Sequence, residues 1–424
     1  MANARKTALR ALLKVHESAY SNITLNKVLN EDNLQGADRA LATAIFYGVL
    51  DRTITLDYVL SNHIKTSLKK VAPFALENLR VALYQIMYMD SIPDSAAVNE
   101  AVKLIKASKC KHLSGFVNGV LRNILRSEIM LPDSNDTKSL SIKYSCPEWV
   151  IKSFKRDYGI DDTISLLDAS LQNPAVTLRV NTLKTTPDKL LNLLTQEGVT
   201  AKQIDFDDAL EIVGGISVSN NACYKEGLFH IQDLASQTAV KILNPTEDEA
   251  VLDICAAPGG KSFTMAEYMN NTGSIVACDL YDSRVQLIKS GAERLGINNI
   301  ESIKNDATVF NDDFGMFDAI LCDVPCSGLG VIRRKPEIKY KNINEYSDIT
   351  AIQSKILETT AKYLKPNGRI MYSTCTLRKC ENEAIVNGFL DKHSDYRVKY
   401  QHTFMPHRDG TDGFYCALLQ KAGD

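Results

Sequence analysis

The 424-residue sequence predicts a multi-domain α plus α/β protein. An all-helical bundle spans residues 1–130, a small mixed α/β module 138–245, and a doubly wound parallel α/β domain 246–424. Three observations carry this division. Apolar residues recur at helical spacing through the first third. Pro132-Asp133-Ser134-Asn135-Asp136 then interrupts the period with consecutive turn formers. From Ala250 onward, short apolar runs alternate with helical stretches, the pattern of parallel strands joined by right-handed crossovers.

Composition narrows the class. A hydrophobic content of 45% and a charged content of 24% are those of a globular protein in water. No apolar run approaches the roughly 18 residues of a membrane span, and no secretory signal opens the chain. Arg5, Lys6, Arg10 and Lys14 have the look of a transit peptide, but their helix runs on into a folded pattern, so the cytoplasm is the expected location. Ten cysteines without repeated short spacing suit neither a disulfide framework nor a zinc finger, and no metal is expected. The net charge of −2 conceals an asymmetry: residues 1–130 hold 17 Lys+Arg against 11 Asp+Glu, a net of +6, leaving 32 against 40, a net of −8. A polyanion is therefore sought at the N-terminal end.

In the bundle, Leu9, Leu12 and Leu13 share one face, as do Leu76, Leu79, Leu83, Ile86 and Met87. Asp94 is placed to cap a helix carrying Val98, Val102 and Ile105. The middle module reads as helices over 149–158 and 162–171, a strand over 175–180, a helix over 187–197 and a turn at Gly214-Gly215. His230, in Gly227-Leu228-Phe229-His230-Ile231-Gln232-Asp233, reads as a core histidine.

The C-terminal domain is organised around Val251-Leu252-Asp253-Ile254-Cys255-Ala256-Ala257-Pro258-Gly259-Gly260-Lys261-Ser262. Its first half is a buried strand. Its second half turns on Pro258, Gly259 and Gly260 into a helix that begins near Lys261, where glycines admit a ligand to the backbone and free N–H groups face it. A phosphate-binding loop requires glycine where Cys255 stands, and the three spaced glycines of a dinucleotide fingerprint are absent. The next strand, 274–280, carries Asp279 near its end, where a doubly wound fold grips ribose hydroxyls. An ordinary strand-helix turn with a surface aspartate explains this stretch equally well when it is taken alone.

A helix over 282–295, a strand over 300–303 ending at Asn305-Asp306, and a strand over 317–322 ending at Asp323 continue the alternation. Asp306 is placed to meet an adenine edge. A helix over 348–364 then leads through a turn at Pro366-Asn367-Gly368 to a strand over 369–373. Two thiols lie just past neighbouring strands, in Asp323-Val324-Pro325-Cys326-Ser327-Gly328 and Ser373-Thr374-Cys375-Thr376. Each alone suits a buried structural cysteine. Together, beside a cofactor turn and Asp323, they suit attack on a pyrimidine, whose carbon 5 is a poor nucleophile until a thiolate adds at carbon 6. The residues by themselves do not rank the two thiols. Arg333, Arg334, Lys335, Lys339 and Lys341 form a basic run, read as flexible and facing an RNA backbone, with a plain solvated charge run as the alternative.

Asp38-Arg39-Ala40 with Tyr47-Gly48-Val49-Leu50, Ala97-Val98-Asn99-Glu100-Ala101-Val102 and Phe116-Val117-Asn118-Gly119-Val120-Leu121-Arg122 resemble the NusB family of helical RNA-binding domains. Ala256-Ala257-Pro258-Gly259-Gly260-Lys261, the Asp323 to Gly328 and Ser373 to Cys375 stretches, and His407-Arg408-Asp409-Gly410-Thr411-Asp412-Gly413-Phe414-Tyr415 resemble the S-adenosylmethionine-dependent RNA cytosine-5 methyltransferases. The combination is similar to the branch that acts on small-subunit ribosomal RNA. Thr376 stands where serine is common. The resemblance implies a NusB-like bundle ahead of a Rossmann-like methyltransferase domain. It implies that Cys255, Ala256, Ala257, Pro258, Gly259, Gly260, Lys261, Asp279, Asp306 and Asp323 hold S-adenosylmethionine. By the same resemblance Cys375 is the nucleophile, Cys326 assists breakdown of the adduct, and Asp323 bonds ring nitrogen 3 of cytosine. Lys261 orients Asp323 or the substrate. The expected partner is ribosomal RNA, with no membrane and no metal, and a monomer is expected.

Overall fold

The computed structural model describes residues 3–15, 21–216 and 218–423. The chain divides into two compact units, one of residues up to 172 with 332–341, the other of 173–331 with 342–424.

The first unit is helical: α1 (Ala4–Val15), α2 (Ser21–Glu31), α3 (Gly36–His63), α4 (Pro73–Tyr88), α5 (Asp94–Lys106), α6 (Ser114–Leu125), α7 (Thr137–Tyr144) and α8 (Glu148–Ser170). The apolar stripes face inward as their spacing requires, with Leu9, Leu12, Leu79, Leu83, Val98 and Ile105 all buried. Gly48 sits within α3, where a Cβ would stand 1.9 Å from Cζ of Tyr84, so that ring packs on bare backbone. Asp94 does not cap α5. Pro93 holds the cap position and Asp94 is the first helical residue, where its charge favours the helix dipole. The two helices read at 149–158 and 162–171 are one element broken at Gly159, whose φ of 78° interrupts α8.

The basic run is not the flexible face its charge suggests. Ile332, Pro336 and Lys339 are buried and Arg333 and Arg334 are partly so, because apolar residues alternate with the cations and pull the segment into the unit. Lys339 is 1% exposed, and its ammonium lies 2.7 Å from Asp51 Oδ1 and 3.0 Å from the Asp51 carbonyl.

The second unit opens with an antiparallel sheet in the order β2-β3-β1-β4, built from β1 (Val176–Val180), β2 (Ala201–Gln203), β3 (Ala209–Ile212) and β4 (Phe229–Ile231). With it go α9 (Pro187–Gln196) and the short α10 (Ala222–Lys225). The larger domain follows: α11 (Leu234–Leu243), β5 (Ala250–Asp253), α12 (Gly260–Tyr268), β6 (Ser274–Asp279), α13 (Asp282–Leu295), β7 (Ile300–Lys304), β8 (Phe317–Asp323), α14 (Ile349–Thr360), β9 (Leu364–Thr374), α15 (Glu383–Leu390), β10 (Tyr396–Phe404), α16 (Pro406–Asp409) and β11 (Phe414–Lys421).

These strands form one Rossmann-like sheet in the order β10-β11-β9-β8-β5-β6-β7. Only β11 runs against its neighbours, so six strands share one direction. Ala319, Ile320, Leu321 and Cys322 of β8 are all fully buried, as a central parallel strand covered on both faces must be. The strand order reverses between β5 and β8, and ligand sites in open α/β sheets lie at the carboxyl ends of strands at such a point. The turn read at Pro366-Asn367-Gly368 lies inside β9, with Asn367 at φ 61°. Among the described residues no helix is long and apolar enough to cross a membrane.

Candidate active site

The turn after β5 is stitched to both neighbouring strands. Ile254 N–H donates to the Leu321 carbonyl (3.1 Å) and Ala256 N–H to that of Cys278 (2.7 Å). Gly259, at φ 108°, caps α12, and a Cβ there would stand 2.4 Å from the Phe263 ring. Conformation and space both demand glycine. At Gly260 a Cβ would meet only Gln232 Nε2, at 3.8 Å, so this face of the helix start is open to a ligand. Arg284, which belongs to no motif in the sequence, ties the turn to the next strand end. It donates from Nη2 to the Ala257 carbonyl at 3.0 Å, and its Nη1 lies 3.1 Å from Asp279 Oδ2.

Asp253, Asp279 and Asp323 end β5, β6 and β8, three adjacent strands. Asp253 is 1% exposed and accepts from Ser262 Oγ at 2.6 Å. Burial pushes its carboxyl up to about 7, the Ser262 bond opposing and the charge of Asp323 adding to the rise. Its Oδ1 has no hydrogen-bond partner among the described residues, nor has Nδ2 of the buried Asn305, just past β7. Asp306 is exposed and takes its bonds within its own loop, from Thr308 N (2.9 Å) and Oγ1 (2.7 Å). Buried orphan polar atoms at the ends of β5 and β7, an open helix start between them and Asp279 suit a polar, elongated ligand of adenosine size. Cys255 lies in the same turn, its thiol raised far above its ordinary value by burial, so it stays neutral.

Past β8 and β9 the sulfurs of Cys326 and Cys375 approach to 3.3 Å. Lys261 reaches back from α12 to place Nζ 2.7 Å from Asp323 Oδ2, and Ser373 Oγ donates to Asp323 Oδ1 at 2.7 Å. The Lys261 ammonium also sits 5.1 Å over the Phe414 ring, which brings in the motif near the C-terminus. Burial disfavours that cation, but the charge and hydrogen bond of Asp323 outweigh it, with Cys375 adding to them, so Lys261 is held above its usual value. The Cys326 thiol is raised by its hydrogen bond with Cys375 and by burial, and is kept as a proton-bearing group. Cys375 is thus the thiol whose charge is coupled to the Lys261 cation and that can receive a hydrogen bond from the other.

A buried carboxylate outside every motif quoted above locks the two loops together. Glu381, fully buried, accepts from Ser327 N (2.8 Å), Gln353 Nε2 (3.2 Å) and Arg378 Nη1 (2.9 Å). Gln353 also donates to the Pro325 carbonyl at 3.0 Å. Ser327 and Thr376 hydroxyls meet at 2.8 Å, so threonine serves where serine is common. The only sequence signal for Glu381 is its nearness to Cys375. His230 is a core histidine, as expected, though its setting is polar: it lies 3.4 Å from Thr264 Oγ1, and burial pulls it down to about 3.

Three family models match the chain: the 16S rRNA methyltransferase RsmB/F over residues 240–420, the NusB family over 2–126, and the RsmF/B-like ferredoxin-like domain over 146–219. A Bacillus subtilis (strain 168) protein named "Probable ribosomal RNA small subunit methyltransferase B" is 37% identical over 99% of both chains. The "Ribosomal RNA small subunit methyltransferase B" of Proteus mirabilis (strain HI4320) is 30% identical, again over 99% of both. Among solved structures, that of PH0851 superposes with a TM-score of 0.86 at 26% identity, covering 99% of this chain and 98% of that one. With a helical NusB domain ahead of a switch-point sheet that carries paired thiols, the chain belongs to the RsmB/F family of 16S rRNA methyltransferases.

Proposed function

We propose that the protein methylates carbon 5 of one cytosine in small-subunit ribosomal RNA, using S-adenosylmethionine and a transient bond between Cys375 and the base. The single observation that carries this reading is the 3.3 Å contact of two thiols beside the Lys261–Asp323 pair. S-adenosylmethionine supplies an electrophilic methyl group. Cys255 to Lys261, Asp279, Asp306 and Asp323 hold it, as the open helix start and the orphan polar atoms at the strand ends suit.

The chain's own residues then supply the rest. The Cys375 thiolate, its charge coupled to Lys261, adds to carbon 6 of the cytosine, and the electron pair released onto the ring makes carbon 5 a nucleophile. Nitrogen 3 takes a proton from water as the thiolate adds and returns it when the adduct breaks down, and Asp323, steadied by Lys261 and Ser373, accepts the hydrogen bond of the N3–H and so favours that protonation. After carbon 5 has taken the methyl group, its proton leaves to a base and the C6–S bond breaks, returning the pair to Cys375. Cys326, protonated at rest, assists this second half. The division into bundle (1–130), middle module (138–245) and catalytic domain (246–424) assigns RNA affinity to the first two and chemistry to the third. A cytoplasmic site of action follows from a ribosomal RNA substrate. Mapping 5-methylcytosine in 16S ribosomal RNA from cells with and without the protein tests the proposal: one cytosine should lose its methyl group in the deletion strain, and an unchanged map would overturn it.

A further inference from the structure

The nucleophile proposed above sits between two buried residues that one further side chain holds. Cys375 is partly buried, while Thr374, Thr376 and Asn382 are each 0% exposed. Asn382 stands at the N-cap of α15, where asparagine ordinarily turns its side-chain oxygen onto a free N–H of the first turn. Here it makes no such bond. Its amide points instead at the end of β9 and the loop that follows: Oδ1 accepts from the Thr374 hydroxyl at 2.6 Å, and Nδ2 donates to the Thr376 carbonyl at 3.0 Å. That carbonyl can only accept, which fixes the orientation of the amide. One planar group thus grips the residue before Cys375 and the residue after it. The grip is itself anchored, because the Tyr372 hydroxyl donates to the carbonyl of Glu381, next to Asn382, at 2.7 Å. Between its two ends the Cys375 carbonyl accepts from Gly330 N–H at 3.0 Å. With the backbone fixed on both sides, the thiol keeps rotation about one bond only, and it rests 3.3 Å from Cys326 Sγ. A helix start requires none of these bonds.

We infer that Asn382 is a positioning residue for Cys375, clamping both of its neighbours so that the thiol is aimed at carbon 6 of the base. The inference rests on the covalent reaction proposed above, in which a displacement of about 1 Å at a reacting atom costs about a hundredfold in rate. The full-length protein is mixed with saturating S-adenosylmethionine and small-subunit ribosomal RNA transcribed with 5-fluorocytosine in place of cytosine. Fluorine does not leave carbon 5 as a proton does, so the adduct persists and its rate of formation is read on a denaturing gel. Asn382→Ala should slow the adduct about a hundredfold while the Kd values for cofactor and RNA stay within about twofold of the wild type. Thr374 separates a clamp from ordinary packing. Thr374→Ser keeps the hydroxyl and loses the methyl group, and should react at close to the wild-type rate; Thr374→Val keeps the shape and loses the hydroxyl, and should be as slow as Asn382→Ala. A packing role reverses that order, since valine suits a buried strand end and serine does not. The two Thr374 variants decide the question by themselves where Asn382→Ala does not fold. Wild-type rates in Asn382→Ala and Thr374→Val, a serine variant slower than the valine one, or a rate loss matched by an equal loss of cofactor binding would overturn the inference. A wild-type protein that forms no adduct would sink the proposed reaction instead, and the clamp is then read from alkylation of Cys375 by iodoacetamide. Asn382→Ala should move the pH midpoint of that alkylation upward as the thiol drifts from the Lys261 charge, and an unmoved midpoint would count against the clamp.

Discussion

Cys326 and Cys375 are chemically alike, and their different tasks must come from surroundings. The charge of Lys261 is coupled to Cys375, while the hydrogen bond that Cys326 donates to Cys375 holds Cys326 as a thiol. Cys375→Ala should therefore abolish both methylation and any covalent protein–RNA species. Cys326→Ala should still add to the base but release it slowly, so that a slow-migrating band accumulates on a denaturing gel. A band with Cys375→Ala that vanishes with Cys326→Ala would reverse the assignment. Asp253 offers a second test. Its carboxyl rises from an ordinary value near 3.8 to about 7 in the folded chain, so the fold favours the protonated form. The stability this group contributes is full below pH of about 4 and is lost as pH rises through about 7, at up to about 1.4 kcal/mol per pH unit. Asp253→Asn cannot titrate, so urea unfolding at pH 5 and pH 8 should show the variant gaining on the wild type with pH. Parallel curves would mean the side chain is charged throughout.

Elements are joined at the site by groups that no helix or strand requires. Glu381 links the loop after β8, the helix α14 through Gln353 and the loop after β9 through Arg378. Its removal would strand Arg378 and two neutral donors in a buried place, and breaking a buried ion pair from one side costs about 3 to 5 kcal/mol. Glu381→Ala should lower unfolding free energy by about 3 kcal/mol and reduce the methyl-transfer rate at saturating cofactor, since the thiol loops lose their common anchor. A variant as stable and as fast as the wild type would show the anchor to be dispensable. The loop after β8 also meets the turn before β11 backbone to backbone, where a Cβ on Gly330 would stand 1.9 Å from the Gly413 carbonyl oxygen.

At the scale of the whole molecule, the chain leaves and re-enters its units: residues 332–341 fold with the helical bundle although they follow the first thiol loop in sequence. Lys339 is the anchor of that return, and Asp51 is its partner. Asp51→Ala should leave a buried, unpaired ammonium and destabilise the bundle by about 3 kcal/mol or more, whereas Asp51→Ala combined with Lys339→Met should recover most of the loss. Additive losses in urea unfolding would argue against the pair. Removing residues 1–130 takes away Asp51 as well, so truncation is not the clean separation of affinity from chemistry that domain boundaries in the sequence suggest.

The helical bundle, the alternating strands of the catalytic domain, the turn at Gly259 and Gly260 and the candidate residues at strand ends were all legible in the sequence. Periodicity and turn chemistry encode them, and both act over a few residues within a short window. Which residues meet is a matter of tertiary structure. The thiols are 49 positions apart, Ser327 and Glu381 are 54 apart, and Lys339 and Asp51 are 288 apart. The largely exposed strand β10 was illegible because an edge strand facing water carries no continuous apolar run. Lys339 has the sequence surroundings of a solvated charge for a related physical reason: a lysine's neighbours along the chain do not reveal a carboxylate brought to it by folding, and that partner alone makes its burial tolerable.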